Sequence, residues 1–182
     1  MFAARRTARY DFRAEKPTGM GSKDKRMAKK KTWREKLADA KGLPKVARIT
    51  PKMSPRWGKG TVVIPAPAEV DAVIRKVPRG KVLTIHEIRG FLAKKHRATI
   101  GCPITTGIFA WIAAHAAAEA ADEGKKRVTP YRRTLKTGGE LNPKYPGGVA
   151  KVKQRLEAEG HCVVQKGKRF LVADFEKSLL RL

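Results

Sequence analysis

Aliphatic residues at helical spacing are concentrated beyond residue 61, and there they follow an order that leaves few folds open. Val70, Val73, Ile74 and Val77 recur with the period of one helix face. Pro78-Arg79-Gly80 is a turn, and Lys81-Val82-Leu83 a short extended piece. Thr84-Ile85-His86-Glu87 has the spacing of a capping box, opening a second helix that points Ile88, Phe91 and Leu92 inward. Lys94, Lys95 and Arg97 crowd its far end, where cations suit the helix dipole. A third helix starts after Cys102-Pro103 and runs over 104–122, with Ile108, Phe109, Trp111 and Ile112 ahead of an Ala-rich half. Val149 to Glu159 predicts another helix, stopped by Gly160. Two β-prone runs, 161–165 and 169–172, are joined by Lys166-Gly167-Lys168 and predict a hairpin. Residues 174–182 predict a terminal helix that packs Phe175, Leu179 and Leu180. The expected fold class is mostly α with a small β-hairpin. Over 61–182 this is a winged helix-turn-helix-like domain.

The first third has a different character. Residues 1–60 carry 19 Lys+Arg and 5 acids, whereas 61–182 carry 23 and 11. Residues 1–31 lack periodicity and read as a disordered basic arm. Its opening, MFAARRTARYDFRAEK, is Arg-rich like a transit peptide, but Asp11 and Glu15 argue against that reading. Over 32–60 a short helix is expected at TWREKLADAKG, where Thr32 and Glu35 have capping-box spacing and Gly42 is a stop. An irregular linker rich in Pro and Gly follows over 43–60. Lys45, Arg48, Lys52 and Arg56 lie there near Trp57, either as a backbone clamp or beside a Trp packed on the domain edge.

The whole chain has a formal charge of +26 and favours polyanionic partners through counterion release. Cys102 and Cys162 are too few and too far apart for a disulfide framework, and no CxxC pair or His cluster makes a metal site. No apolar run approaches the ~20 residues that cross a bilayer. These features lead us to expect a monomeric cytoplasmic protein, nucleoid-associated if bacterial, that needs no cofactor or metal and touches no membrane.

The segment from Thr129 to His161 carries the chemistry. Pro130-Tyr131-Arg132-Arg133 leads into a loop ending Lys144-Tyr145-Pro146-Gly147-Gly148, and the next helix closes on Glu159-Gly160-His161. With Val77-Pro78-Arg79-Gly80-Lys81-Val82, Thr84 and Glu87-Ile88 upstream, this resembles the DNA-binding domain of the alkylguanine DNA alkyltransferases over roughly 69–172. In that family the motif reads Pro-Cys-His-Arg. Tyr131 stands where the nucleophilic cysteine is, and Arg132 where the relay His is. The resemblance is therefore to the non-catalytic alkyltransferase-like branch, whose members bind alkylated guanine in DNA and recruit repair proteins.

What the resemblance implies is mixed. Ile85 occupies the position of the Tyr that helps rotate a nucleotide out of the duplex, and 103–107 lacks the family's Arg finger. Extruding a base costs a few kcal/mol of stacking, so losing both weakens that step. Thr84, His86, Thr105, Thr106, Tyr131, Arg132, Arg133, Lys136, Lys144 and Tyr145 are the candidate DNA-binding residues. Thr105 and Thr106 either cap their helix or meet a phosphate at its start. Tyr131 either stacks on a base or is a core tyrosine, while Trp111 is expected in the core. Three functions follow: a DNA-binding sensor of alkylated guanine, an RNA- or ribosome-associated basic module, and an alkyltransferase that uses Cys102.

Overall fold

The computed structural model describes residues 30–182, so the basic arm predicted over 1–31 lies, but for its last two residues, outside the described part. The expected class is found: helices dominate, with a small hairpin near the C-terminus. Helix α1 (Trp33–Ala38) has the predicted capping box, with Thr32 Oγ1 accepting from Glu35 N at 3.1 Å and Thr32 N donating to the Glu35 carboxylate at 2.7 Å. It is not a free element. Trp33 stacks on His115 with ring centroids 4.4 Å apart, and Arg34 pairs with Glu123 at 2.8 Å.

Residues 43–60 are more ordered than their Pro and Gly content predicts. Strand β1 (Lys45–Arg48) and the helical turn α2 (Ser54–Trp57) lie there. Strand β1 pairs antiparallel with β2 (Thr61–Ile64), with Lys45 opposite Ile64 and Arg48 opposite Thr61. The physical reason is that Val62 and Val63 are buried, so β2 has backbone groups that need partners.

Helix α3 (Pro67–Arg75) buries Val70, Val73 and Ile74, as its spacing predicts. Strand β3 (Leu83–Thr84) leads directly into α4 (Ile85–Lys95), whose capping box is formed by Thr84 and Glu87. Ile88 and Leu92 of α4 are fully buried; each is worth about 1.5–3 kcal/mol of transfer free energy. Strand β4 (Ile100–Gly101) adds parallel to β2. A Cβ at position 101 would meet the Arg89 carbonyl oxygen at 2.6 Å, so only glycine allows this approach.

Helix α5 (Pro103–Asp122) is the axis of the fold. Its Ala110 and Ala113 join Val70, Ile74, Leu83 and Ile88 in one core, while Ala114 and Ala117 join Tyr131, Leu135 and Leu156 in another. A helix apolar on several faces serves two cores, and its alanines let neighbours approach closely. Strand β5 (Thr134–Leu135) runs parallel to β3, helix α6 (Gly148–Glu157) follows, and β6 (Val163–Lys166) and β7 (Arg169–Val172) form the hairpin.

The tail departs from expectation. Only a single 3-10 turn forms, Phe175–Ser178, in place of a terminal α-helix. Val82 N donates to Ser178 O at 2.9 Å and Leu180 N to Val82 O at 2.8 Å. These two bonds hold the tail extended beside Val82, which an α-helix there could not do. No helix among the described residues is long and apolar enough to cross a membrane.

Candidate nucleic-acid interface

The Pro130-Tyr131-Arg132-Arg133 segment forms a 3-10 turn over Tyr131–Arg133 between α5 and β5. It is anchored from below. Thr129 Oγ1 donates to Asp71 Oδ1 at 2.6 Å, and Asp71, itself buried, accepts from Arg75 Nε at 2.7 Å. Asp71 was invisible to sequence reading because it sits in the middle of an apolar helical pattern. A buried carboxylate paired so closely is a bracing group.

Tyr131 is only 3% exposed. Its hydroxyl donates to Pro146 O at 3.3 Å, and its ring meets Tyr145 edge to face at 5.8 Å between centroids. Tyr145 is equally buried, and that burial, slightly offset by Asn142, pushes its phenol well above the ordinary value. The two rings occupy the space beneath the Gly- and Pro-rich loop. Of the two readings of Tyr131 open from sequence, the core tyrosine is the one found.

Arg132 and Arg133 also turn inward. Arg132 Nε donates to Glu159 Oε1 at 2.7 Å; Arg133 Nε donates to Glu159 Oε2 at 2.7 Å, and its Nη1 to Val77 O at 2.7 Å. The Glu159 side chain is 6% exposed. Burial opposes its ionisation, but the hydrogen bonds from Arg133 and then Arg132 outweigh that and hold its carboxyl below the usual range. His161 lies beside this group. Burial depresses its imidazole, with Glu159 acting against and Arg133 adding to the effect, and its Nε2 has no hydrogen-bond partner. Expected to face phosphates, these arginines are instead seen with side-chain exposures of 21% and 12%, bracing the loop against the end of α6.

Two threonines are enclosed in the same way. Thr84 is 2% exposed; its hydroxyl donates to the Glu87 carboxylate and accepts from His86 N. Thr106 is fully buried and donates to Cys102 O at 2.7 Å. Neither hydroxyl reaches solvent. Thr105 is half-buried, with its hydroxyl enclosed and unpartnered. Tyr145 is enclosed as described. That leaves His86, Lys136 and Lys144 as the exposed members of the predicted set, and Lys136 pairs with Glu140.

The backbone around Lys144 is held to α5, since its carbonyl accepts from Trp111 Nε1 at 3.1 Å and lies 3.3 Å from His115 Nε2. Trp111 is half-buried against the core, as its position on α5 predicts. The candidate residues left out the hairpin tip. Lys166, Lys168 and Arg169 are all exposed there. The Lys-Gly-Lys turn was the available signal, because a tight turn between two β-runs must present its side chains outward. Cys102 is buried and its N–H donates to Val63 O at 2.8 Å, while Cys162 is exposed. Among the described residues no cluster of His, Cys, Asp or Glu is arranged to hold a metal.

No family model matches the sequence, and no curated protein matches it. Solved structures similar to it include S. pombe Atl1 in complex with damaged DNA containing O6-carboxymethylguanine and S. pombe ATL in complex with DNA. Each is 20% identical, with a TM-score of 0.47, over 64% of this chain and 94% of that one.

Proposed function

We propose that this protein is a non-enzymatic, alkyltransferase-like protein that binds duplex DNA through its phosphate backbone. One observation carries the reading. Residues 31–182 hold 32 Lys+Arg against 13 Asp+Glu, on a helix pair followed by a hairpin whose tip exposes three cations. A surface of that sign gains affinity by releasing counterions from a duplex, largely without regard to base sequence. Lys166, Lys168 and Arg169 on the wing, with Lys144 and His86 on the body, are the residues we assign to phosphate binding.

Dealkylation has no support in the site. The chemistry needs an activated thiolate, and residue 131 is a tyrosine whose hydroxyl is turned to a carbonyl. Cys102, the alternative thiol, is buried behind β2. Mass spectrometry after incubation with alkylated DNA is expected to find Cys102 unmodified.

The finer reading, that alkylated guanine is sensed, has Glu159 and the Gly-rich loop in its favour and the Tyr131–Tyr145 pair against it. A flipped base needs a cavity, and these two rings are buried against each other. Gel-shift titration of matched duplexes with and without O6-alkylguanine is expected to give equal affinities. A marked preference for the lesion would restore the sensing role. Competition between duplex DNA and structured RNA at fixed salt tests the partner class, and a clear RNA preference would defeat the DNA assignment in favour of an RNA-associated module.

A further inference from the structure

Only four large hydrophobic side chains among the described residues are exposed, and two of them are Ile104 at 56% and Ile108 at 45%. They lie four residues apart in the first turns of α5 and so stand one above the other on a single face. Isolated exposed aliphatics are ordinary. Two branched ones forming a ridge, on a helix whose other apolar residues are mostly turned to two cores, are not. The ridge is also held firmly. Thr106 between them bonds back to Cys102 O, Cys102 bonds to β2, and Gly101 packs directly on the Arg89 backbone.

The charge of the chain that leads into it points to the occupant. From residue 88 to residue 118 the chain has no Asp or Glu, while Arg89, Lys94, Lys95 and Arg97 all fall within it. Lys95 is paired with Glu69, but Lys94 and Arg97 are exposed at the end of α4, just ahead of the ridge in the chain. An apolar ridge on a stretch of chain that carries exposed cations and no acid suits a polyanion with an apolar interior, which describes stacked base pairs between phosphate rails. Branched aliphatic side chains are among those that enter base steps, partially unstack them and kink the duplex.

We infer that Ile104 and Ile108 form a wedge that opens a base step and bends duplex DNA, with no base taken into a pocket. This rests on the DNA-binding reading above. It also assigns a sequence preference that no hydrogen bond would provide. Pyrimidine–purine steps unstack most easily, so TA and CA steps are favoured over stiff A-tracts through deformability alone.

The experiment uses the full-length protein with two short duplexes of equal length, one with a central TA step and one with a central A-tract. Anisotropy gives the affinities, and 2-aminopurine beside the central step reports unstacking. The wild type is expected to bind the TA duplex roughly fivefold tighter and to brighten the probe. Ile104→Ala/Ile108→Ala is expected to lose both effects and keep its salt dependence, since it removes no charge. Both positions are exposed and alanine is the better helix former, so the variant is expected to fold. Equal affinities with a dark probe would overturn the wedge and leave DNA binding standing. Loss of affinity in the variant with the probe still bright would also overturn it. No binding to either duplex would remove the DNA reading itself. A dimer dispersed by the same double substitution would overturn the wedge in favour of an interface between copies.

Discussion

The Tyr131–Arg133 turn and the Lys166–Arg169 hairpin tip each carry cations beside a glycine-containing loop, yet the structure uses those cations in opposite ways. At the turn, both arginines are folded back on Glu159 and on a backbone carbonyl. At the hairpin tip, Lys166, Lys168 and Arg169 are exposed. The difference is made by one acid. A carboxylate at the end of α6 neutralises the turn, whereas nothing acidic lies between Gln165 and Val172. Charge density along a sequence therefore overstates an interface wherever a buried acid lies within reach.

The largest expected effect breaks the turn. Glu159→Gln leaves two guanidinium groups facing an amide that cannot accept all their hydrogen bonds, and removing one partner of a buried ion group costs about 3–5 kcal/mol. Urea unfolding measures it. A change under about 1 kcal/mol would mean that the arginines swing out to water, and the contrast between the two regions would collapse. The next effect loads the other side. Lys166→Ala/Lys168→Ala/Arg169→Ala is expected to weaken duplex binding and to lower the slope of log affinity against log salt by about 0.9 for each phosphate no longer neutralised. Arg132→Ala, by comparison, should leave that slope unchanged. If the two variants shift it equally, the turn is part of the interface after all.

Local features were legible in the sequence and non-local ones were not. The capping box at Thr84 and Glu87, the start of α5 and the β6–β7 turn are each determined within a few residues; the box and the turn stand where predicted, and α5 starts at Pro103, one residue ahead of the expected 104. The pairing of β2 with β4 joins segments far apart in the chain, and each side offers only two paired residues, too few to carry a period. The Glu159 ion group was missed for the same reason. Its members are 26 and 27 residues apart, and an arginine gives no sequence signal of whether it will meet a carboxylate or a phosphate. The enclosure of Thr84 and Thr106 was not legible either: Thr84 caps α4 and Thr106 bonds back to Cys102 O, and the hydroxyl that does either is the same one a phosphate would ask for at a helix start.

Acid should loosen the turn while sparing the hairpin. The folded imidazole of His161 lies below its ordinary value of 6.5 because burial disfavours its charge. The unfolded chain thus takes up a proton first as pH falls, and stability present above about pH 6.5 is lost progressively below it. A second loss begins below about 4.5, the ordinary value for the depressed Glu159 and Glu69 carboxyls. Both steps run in the same direction. Urea midpoints between about pH 7.5 and 5.5 check the first, which His161→Gln should flatten. An unchanged slope in that variant would place the titration elsewhere.

The smallest effect is the most discriminating for the Tyr131 site. Tyr131→Phe removes one hydroxyl bonded to Pro146 O at 3.3 Å, a long hydrogen bond, and keeps the ring that packs on Tyr145. The expected cost is about 0.5–1 kcal/mol of stability, the net worth of a single neutral hydrogen bond. Affinity for unmodified duplex should not change, since neither the exposed charges nor the Ile104–Ile108 ridge is touched. The same must hold for an alkylguanine duplex if the two rings fill the pocket. If Tyr131→Phe alters binding only to the lesion, the hydroxyl must leave Pro146 and meet the base, and the rings beneath the loop would then be a closed door instead of a packed core.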